Sequence, residues 1–122
     1  MKKCLILLIS LILMGSALAE PALVQPKVGG HYKSTHYVCV SNLGCLNLSQ
    51  IKNGRKFPLQ SGDVTYIFLA DISTLRMYPQ KLPASCNTNV GENQTLVISG
   101  KVAKAANDDV YIDNLRCSVV NQ

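Results

Sequence analysis

The chain reads as an all-β protein on three observations. Apolar residues alternate between turn signals through most of it, no stretch after residue 20 repeats with a helical period, and four cysteines follow an N-terminal export signal. The expected architecture is a small Greek-key barrel or compact sandwich of five or six strands, stapled by two disulfides and preceded by a cleaved signal peptide.

The export signal rests on the order of three features. Lys2 and Lys3 form a positive n-region, residues 4–13 are an apolar stretch with Ser10 its one polar residue, and Ala17-Leu18-Ala19 gives a small-x-small cleavage site. Residues 4–19 fall short of the roughly 20 apolar residues that span a bilayer, so the segment reads as a leader rather than an anchor. Cleavage would leave no transmembrane span and a mature chain beginning at Glu20. The division expected is a signal peptide at residues 1–19, a flexible arm at 20–35 and one disulfide-stabilised β domain at 36–122.

Losing the leader leaves 103 of the 122 residues and lowers the formal charge from +5 to +3, because Lys2 and Lys3 leave with it. So small a surplus does not support nucleic acid as a partner. About 100 residues make one domain with a thin core, which crosslinks would help. Cys4 departs with the leader, and Cys39, Cys45, Cys86 and Cys117 remain, an even number suited to an oxidising compartment. Cys39 and Cys45 flank the turn-like Ser41-Asn42-Leu43-Gly44, which favours pairing them and leaves Cys86 for Cys117. Loop-closure entropy assigns about 2 kcal/mol to the short loop and about 4 kcal/mol to the long one.

The elements follow in order. Pro21, Pro26, Gly29 and Gly30 argue against regular structure in the arm. Residues 36–41 form the first strand, with Val38 and Val40 on one face, and the second runs through Leu46 and Leu48. Asn53-Gly54 is a strong hairpin signal leading into residues 55–59. After a Ser61-Gly62-Asp63 turn, residues 64–72 make a long central strand. Val64, Tyr66, Phe68, Ala70 and Ile72 share one face, and a second face is also largely apolar. Residues 82–94, rich in Pro, Ser, Asn and Gly, read as a long loop held by Cys86.

The C-terminal hairpin can be assigned a register. A turn at residues 106–109 between runs 95–105 and 110–120 sets Leu96 opposite Val119, Ile98 opposite Cys117 and Gly100 opposite Leu115. On the other face Ser99 meets Arg116 and Lys101 meets Asn114. The bend at Gly100 leading through Val102 to Val110-Tyr111-Ile112-Asp113 resembles the strands of an OB-type barrel, and this resemblance covers the C-terminal third of the chain.

Chemistry is sparse. His31, His36, Cys39 and Cys45 carry ligands that suit zinc or copper, but their spacing matches no standard finger and oxidation would consume both thiols. The expectation is no metal and no cofactor, with both histidines exposed. Asp71, near the end of an apolar strand, is either an ordinary strand end in water, the favoured reading, or a desolvated carboxylate with a raised pKa. Asp108 and Asp109 belong to a turn. No catalytic residue is assigned, and the protein is expected not to be an enzyme.

Binding remains. Lys52, Arg55 and Lys56 with Phe57, and Tyr32, Lys33 and Tyr37 beside His36, each combine positive charge with an aromatic ring. The triplets at Asn47 and Asn93 match the glycosylation pattern, but the short Lys-Lys leader looks bacterial and both asparagines are expected bare. The functional expectation is an exported binding or assembly domain of the bacterial cell envelope, periplasmic or secreted, such as a subunit of an envelope or secretion complex, or an inhibitor. Its partner would be another envelope or extracellular protein, with a polysaccharide or anionic lipid as alternatives. A host-directed effector or toxin-like factor and a small metal-binding protein are the other readings.

Overall fold

The computed structural model describes residues 20–51, 54–60 and 64–122, so the signal-peptide segment, Lys52, Asn53 and the Ser61-Gly62-Asp63 turn lie outside the described residues. Among these described residues, eight strands form two four-stranded sheets: β1 (Leu23–Gly30), β2 (His36–Val40), β3 (Gly44–Asn47), β4 (Phe57–Pro58), β5 (Ile67–Asp71), β6 (Arg76–Pro79), β7 (Gln94–Lys104) and β8 (Val110–Asn121). Sheet A has the order β4-β1-β7-β8 and sheet B the order β3-β2-β5-β6. The all-β class holds, with one 3₁₀ turn at Ala84–Cys86. Two disulfides join Cys39 to Cys45 and Cys86 to Cys117.

The two sheets share one core. Val24, Val28, Leu96, Ile98 and Val102 enter it from sheet A, and Val38, Val40, Ile67 and Leu69 from sheet B. The sheets are also laced at their edges. Gln80, just past β6, accepts a hydrogen bond from the Ile112 N–H of β8 at 2.7 Å, and Leu59 donates to Ala22 while Gln60 donates to Asn42. The Cys86–Cys117 bridge fastens the 3₁₀ turn beside β8, the other edge strand of sheet A.

Several expectations are corrected. The flexible arm is largely a strand, because β1 lies between β4 and β7 and runs parallel to β7 from Leu23 opposite Thr95 to Gly30 opposite Val102. Pro26 is tolerated because β4 covers only Leu23 and Val24, leaving the rest of β1 with one side outside any ladder. The Asn53-Gly54 hairpin signal falls partly outside the described residues, and the strands on either side of it pair elsewhere: β3 with β2 in sheet B, and β4 with β1 in sheet A. The central strand is β5, shorter than residues 64–72, because the buried Ser41 hydroxyl accepts the Thr65 N–H at 2.7 Å and holds the approach outside the ladder. Its core face carries Ile67, Leu69 and Asp71, whereas Tyr66, Phe68, Ala70 and Ile72 point away or lie exposed. Pairing with β2 decides this, since Val38 and Val40 sit opposite Leu69 and Ile67.

In the C-terminal hairpin, Leu96 opposite Val119, Ile98 opposite Cys117 and Ser99 opposite Arg116 agree with the sequence pattern. Nearer the turn the register shifts by one, so Lys101 faces Asp113 rather than Asn114. The loop explains the difference. Lys104 pairs with Val110, Ala105 donates to the Asp109 carbonyl, and Asp108 takes a left-handed conformation with φ 70°. A β-bulge sets Asn114 and Leu115 of β8 against Gly100 and restores the outer register.

Candidate functional site

The described residues contain one buried ionisable pair, and its chemistry decides how far a catalytic reading can go. His36 opens β2 and Asp71 closes β5, and the ladder sets them directly opposite on the core side. The His36 Nε2 lies 3.4 Å from the Asp71 Oδ2. The Lys33 backbone N–H donates to His36 Nδ1 at 3.0 Å, so that nitrogen must present its lone pair and the proton sits on Nε2, facing the carboxylate. Asp71 also accepts the Ser73 hydroxyl at 2.6 Å and the Ser73 N–H at 2.9 Å, both on Oδ1.

These contacts hold the Asp71 carboxyl well below its ordinary range. The Ser73 hydroxyl lowers the pKa most. Burial opposes it, and the Ser73 N–H, the neighbouring Thr35 hydroxyl and the His36 ring lower it further, from 3.8 to about 2. The Thr35 contribution is weak, as its hydroxyl lies outside hydrogen-bonding geometry. Both sequence readings of Asp71 therefore need correction: it is buried, and its pKa falls because hydrogen bonds to the charged form outweigh desolvation. His36 is likewise buried rather than exposed.

A hollow of about 230 Å³ opens beside the pair, lined by Lys33, His36, Asp71, Thr74, Arg76 and Tyr78 with part of the β7–β8 turn. The arrangement resembles the inner half of a catalytic triad, but its geometry blocks that use. A general base needs one imidazole nitrogen free toward a nucleophile, and here both are engaged. The Ser73 hydroxyl spends its proton on Asp71. Two of the hollow's three cations are matched, Arg76 by Asp109 at 3.0 Å and Lys104 by Asp108 at 3.6 Å. This cluster ties β2, β5 and the β5–β6 turn together.

The metal-ligand set is dispersed. Cys39 and Cys45 are bonded to each other, His36 faces Asp71, and the exposed His31 donates its backbone N–H to Val102. Among the described residues, no group of three or more His, Cys, Asp or Glu side chains converges.

The two predicted patches occupy different sheets. Arg55 stacks over Phe57 at 5.0 Å where β4 joins the edge of sheet A, with Lys56 exposed between them. Tyr32 and Lys33 belong to the turn entering β2, and Tyr37 lies within β2 in sheet B. Tyr37 instead becomes part of a surface that the patch reading did not anticipate. The side of sheet B opposite the core carries Tyr37, Ala70 and Met77 in one row and the Cys39–Cys45 bridge, Phe68 and Pro79 in the next. Tyr66 stacks on Phe68 at 5.9 Å, and Met77 is 68% exposed. A hollow of about 280 Å³ lies against the bridge, bounded by Leu43, Tyr66 and Phe68 with Asn42 and Gln60 at its polar side. No charged side chain enters either row. The signal was present in the alternation of Tyr66, Phe68 and Ala70, but finding it required knowing which face the core claims.

Both glycosylation triplets are structurally engaged. Asn47 donates to the Ser34 carbonyl at 2.8 Å and accepts from Ser49, while the Asn93 side chain accepts the Glu20 N–H at 2.9 Å. No family model, no curated protein and no solved structure matches this chain.

Proposed function

We propose that the protein is an exported, non-enzymatic binding or assembly domain of the bacterial cell envelope, acting in the periplasm or outside the cell once its leader is cleaved. Its partner is another envelope or extracellular protein, and the outer face of sheet B is the surface that receives it. The observation that carries this reading is the uncharged, aromatic and sulfur-rich composition of that face, formed by Tyr37, Tyr66, Phe68 and Met77 around the Cys39–Cys45 bridge. Interface cores favour aromatic residues and Met and lack charge, whereas a solvated sheet face carries polar side chains. The short β2–β3 loop and its bridge hold these side chains on a rigid support, which lowers the entropy lost on association. The two disulfides suit an oxidising compartment. The commitment of His36, Asp71 and Ser73 to one another supports the non-enzymatic part of the reading.

The test is affinity capture from envelope extract with the protein beginning at Glu20, beside a folded Tyr66→Ser/Met77→Lys variant. The expected result is one partner recovered repeatedly by the wild type and lost with the variant. Recovery of the same partner by both proteins would remove sheet B from the proposal. Substrate turnover without any captured partner would overturn the binding reading.

A further inference from the structure

We propose that the outer face of sheet A is a second binding surface, an open trough that takes an anionic polysaccharide through Lys27, Lys101 and Arg116. The register places Lys27 of β1 opposite Ser99 of β7, and Ser99 opposite Arg116 of β8. One step along, Gly29 lies opposite Lys101 and Lys101 opposite Asp113. These positions alternate with the buried Val28, Ile98, Val102 and Cys117, so they share the face turned from the core. Two adjoining hollows of about 540 and 430 Å³ lie along it, and Lys27, Gly100 and Lys101 line both. Gly29 leaves bare backbone in the floor, since a Cβ there would meet nothing within 4 Å.

Charge is sorted onto this face. At one end of it the Gly54 carbonyl accepts a hydrogen bond from Gln25 of β1 at 2.9 Å. Lys27, Lys101 and Arg116 thus share this face with one carboxylate, Asp113. Elsewhere Arg76 and Lys104 are paired with Asp109 and Asp108, while Lys27 and Lys101 form no ion pair among the described residues. The two lysines are diagonal neighbours on adjacent strands, so each raises the other's electrostatic energy until an anion lies between them. The mature chain's modest surplus therefore becomes a concentrated field on one side of the molecule.

The shape selects the ligand. A shallow trough across three strands admits an extended polymer, and no aromatic ring among its lining residues offers the stacking platform that single-stranded nucleic acid uses. The lining of the two hollows carries no apolar side chain to insert into a bilayer. A saccharide chain can lay its ring faces on the glycine backbone while carboxylate, sulfate or phosphate groups reach the cations.

The test measures binding of heparin, with neutral dextran, phosphatidylglycerol vesicles and single-stranded DNA as separate arms. Lys27→Glu/Lys101→Glu is compared with Lys81→Glu/Lys104→Glu, which changes net charge equally elsewhere. The expected result is a loss of heparin affinity of at least about tenfold in the first variant and under about twofold in the second, with a shallower salt dependence in the first. Matching thermal transitions establish that both variants fold; if the first does not, Lys27→Gln/Lys101→Gln replaces it. Equal losses in the two variants, no heparin binding at about 0.15 M salt, or tighter binding to vesicles or DNA would overturn the proposal.

Discussion

Asp71 shows how a single residue can serve a fold while resembling a reactive group. Its folded-state pKa is about 2 against an ordinary 3.8, so the charged form is the stabilising one. The stability it supplies is present above pH 4 and is lost as the pH falls through 2, amounting to about 2 kcal/mol by linkage. Asp71→Asn is therefore expected to lower stability at pH 7 and to flatten the acid limb between pH 4 and 2. Thermal unfolding at pH 7, 4 and 2 checks this, and an unchanged acid limb would show that other carboxylates govern acid unfolding. The sequence displayed a carboxylate at the end of an apolar strand, which identified an unusual position. The sign of its shift depended on Ser73 turning back to donate twice, and a turn of that kind cannot be read from alternation.

At the scale of elements, β7 and β8 were legible because hydrophobic alternation and turn chemistry restrict the same register. What alternation could not count was the extra residue in each irregularity. A loop with Asp108 in the left-handed region shifts the pairing by one, and the bulge opposite Gly100 shifts it back, so the outer half agrees with the simple pattern and the inner half does not. Gly100 is required there because an added Cβ would strike the Ile112 side chain and crowd the Asp113 carbonyl. Gly100→Ala is expected to destabilise the protein by about 1–3 kcal/mol, the usual cost of overpacking. Urea unfolding measures this, and a change under 0.5 kcal/mol would mean that the bulge relaxes freely. β1 was illegible for a different reason. Its proline and two glycines oppose a strand by local propensity, and a partner far along the chain overrides them.

Across the whole molecule, the disulfides act on unequal loops. Cys86 and Cys117 are 31 residues apart and Cys39 and Cys45 only 6, so chain entropy assigns about 4 and 2 kcal/mol respectively. Cys86→Ala/Cys117→Ala should therefore lose more stability than Cys39→Ala/Cys45→Ala, the more so because Cys86 is wholly buried. Denaturant unfolding of the two variants gives the ranking, and a reversed order would locate the greater constraint in the short loop. The candidate surfaces were less legible than the core. Their residues are ordinary individually, and only the sheets assemble Lys27 with Arg116, or Tyr37 with Met77.

The parallel pairing of β1 with β7 also fixes an order of events. Leu23 finds Thr95 roughly 70 residues later, whereas β2 with β3 and β7 with β8 join through short loops. Local hairpins close quickly, and distant strands must wait for the intervening chain. When β1 leaves the ribosome it is thus without its β7 neighbour until the intervening residues have followed. Sheet A is completed last, and its N-terminal strand remains an open end throughout that wait.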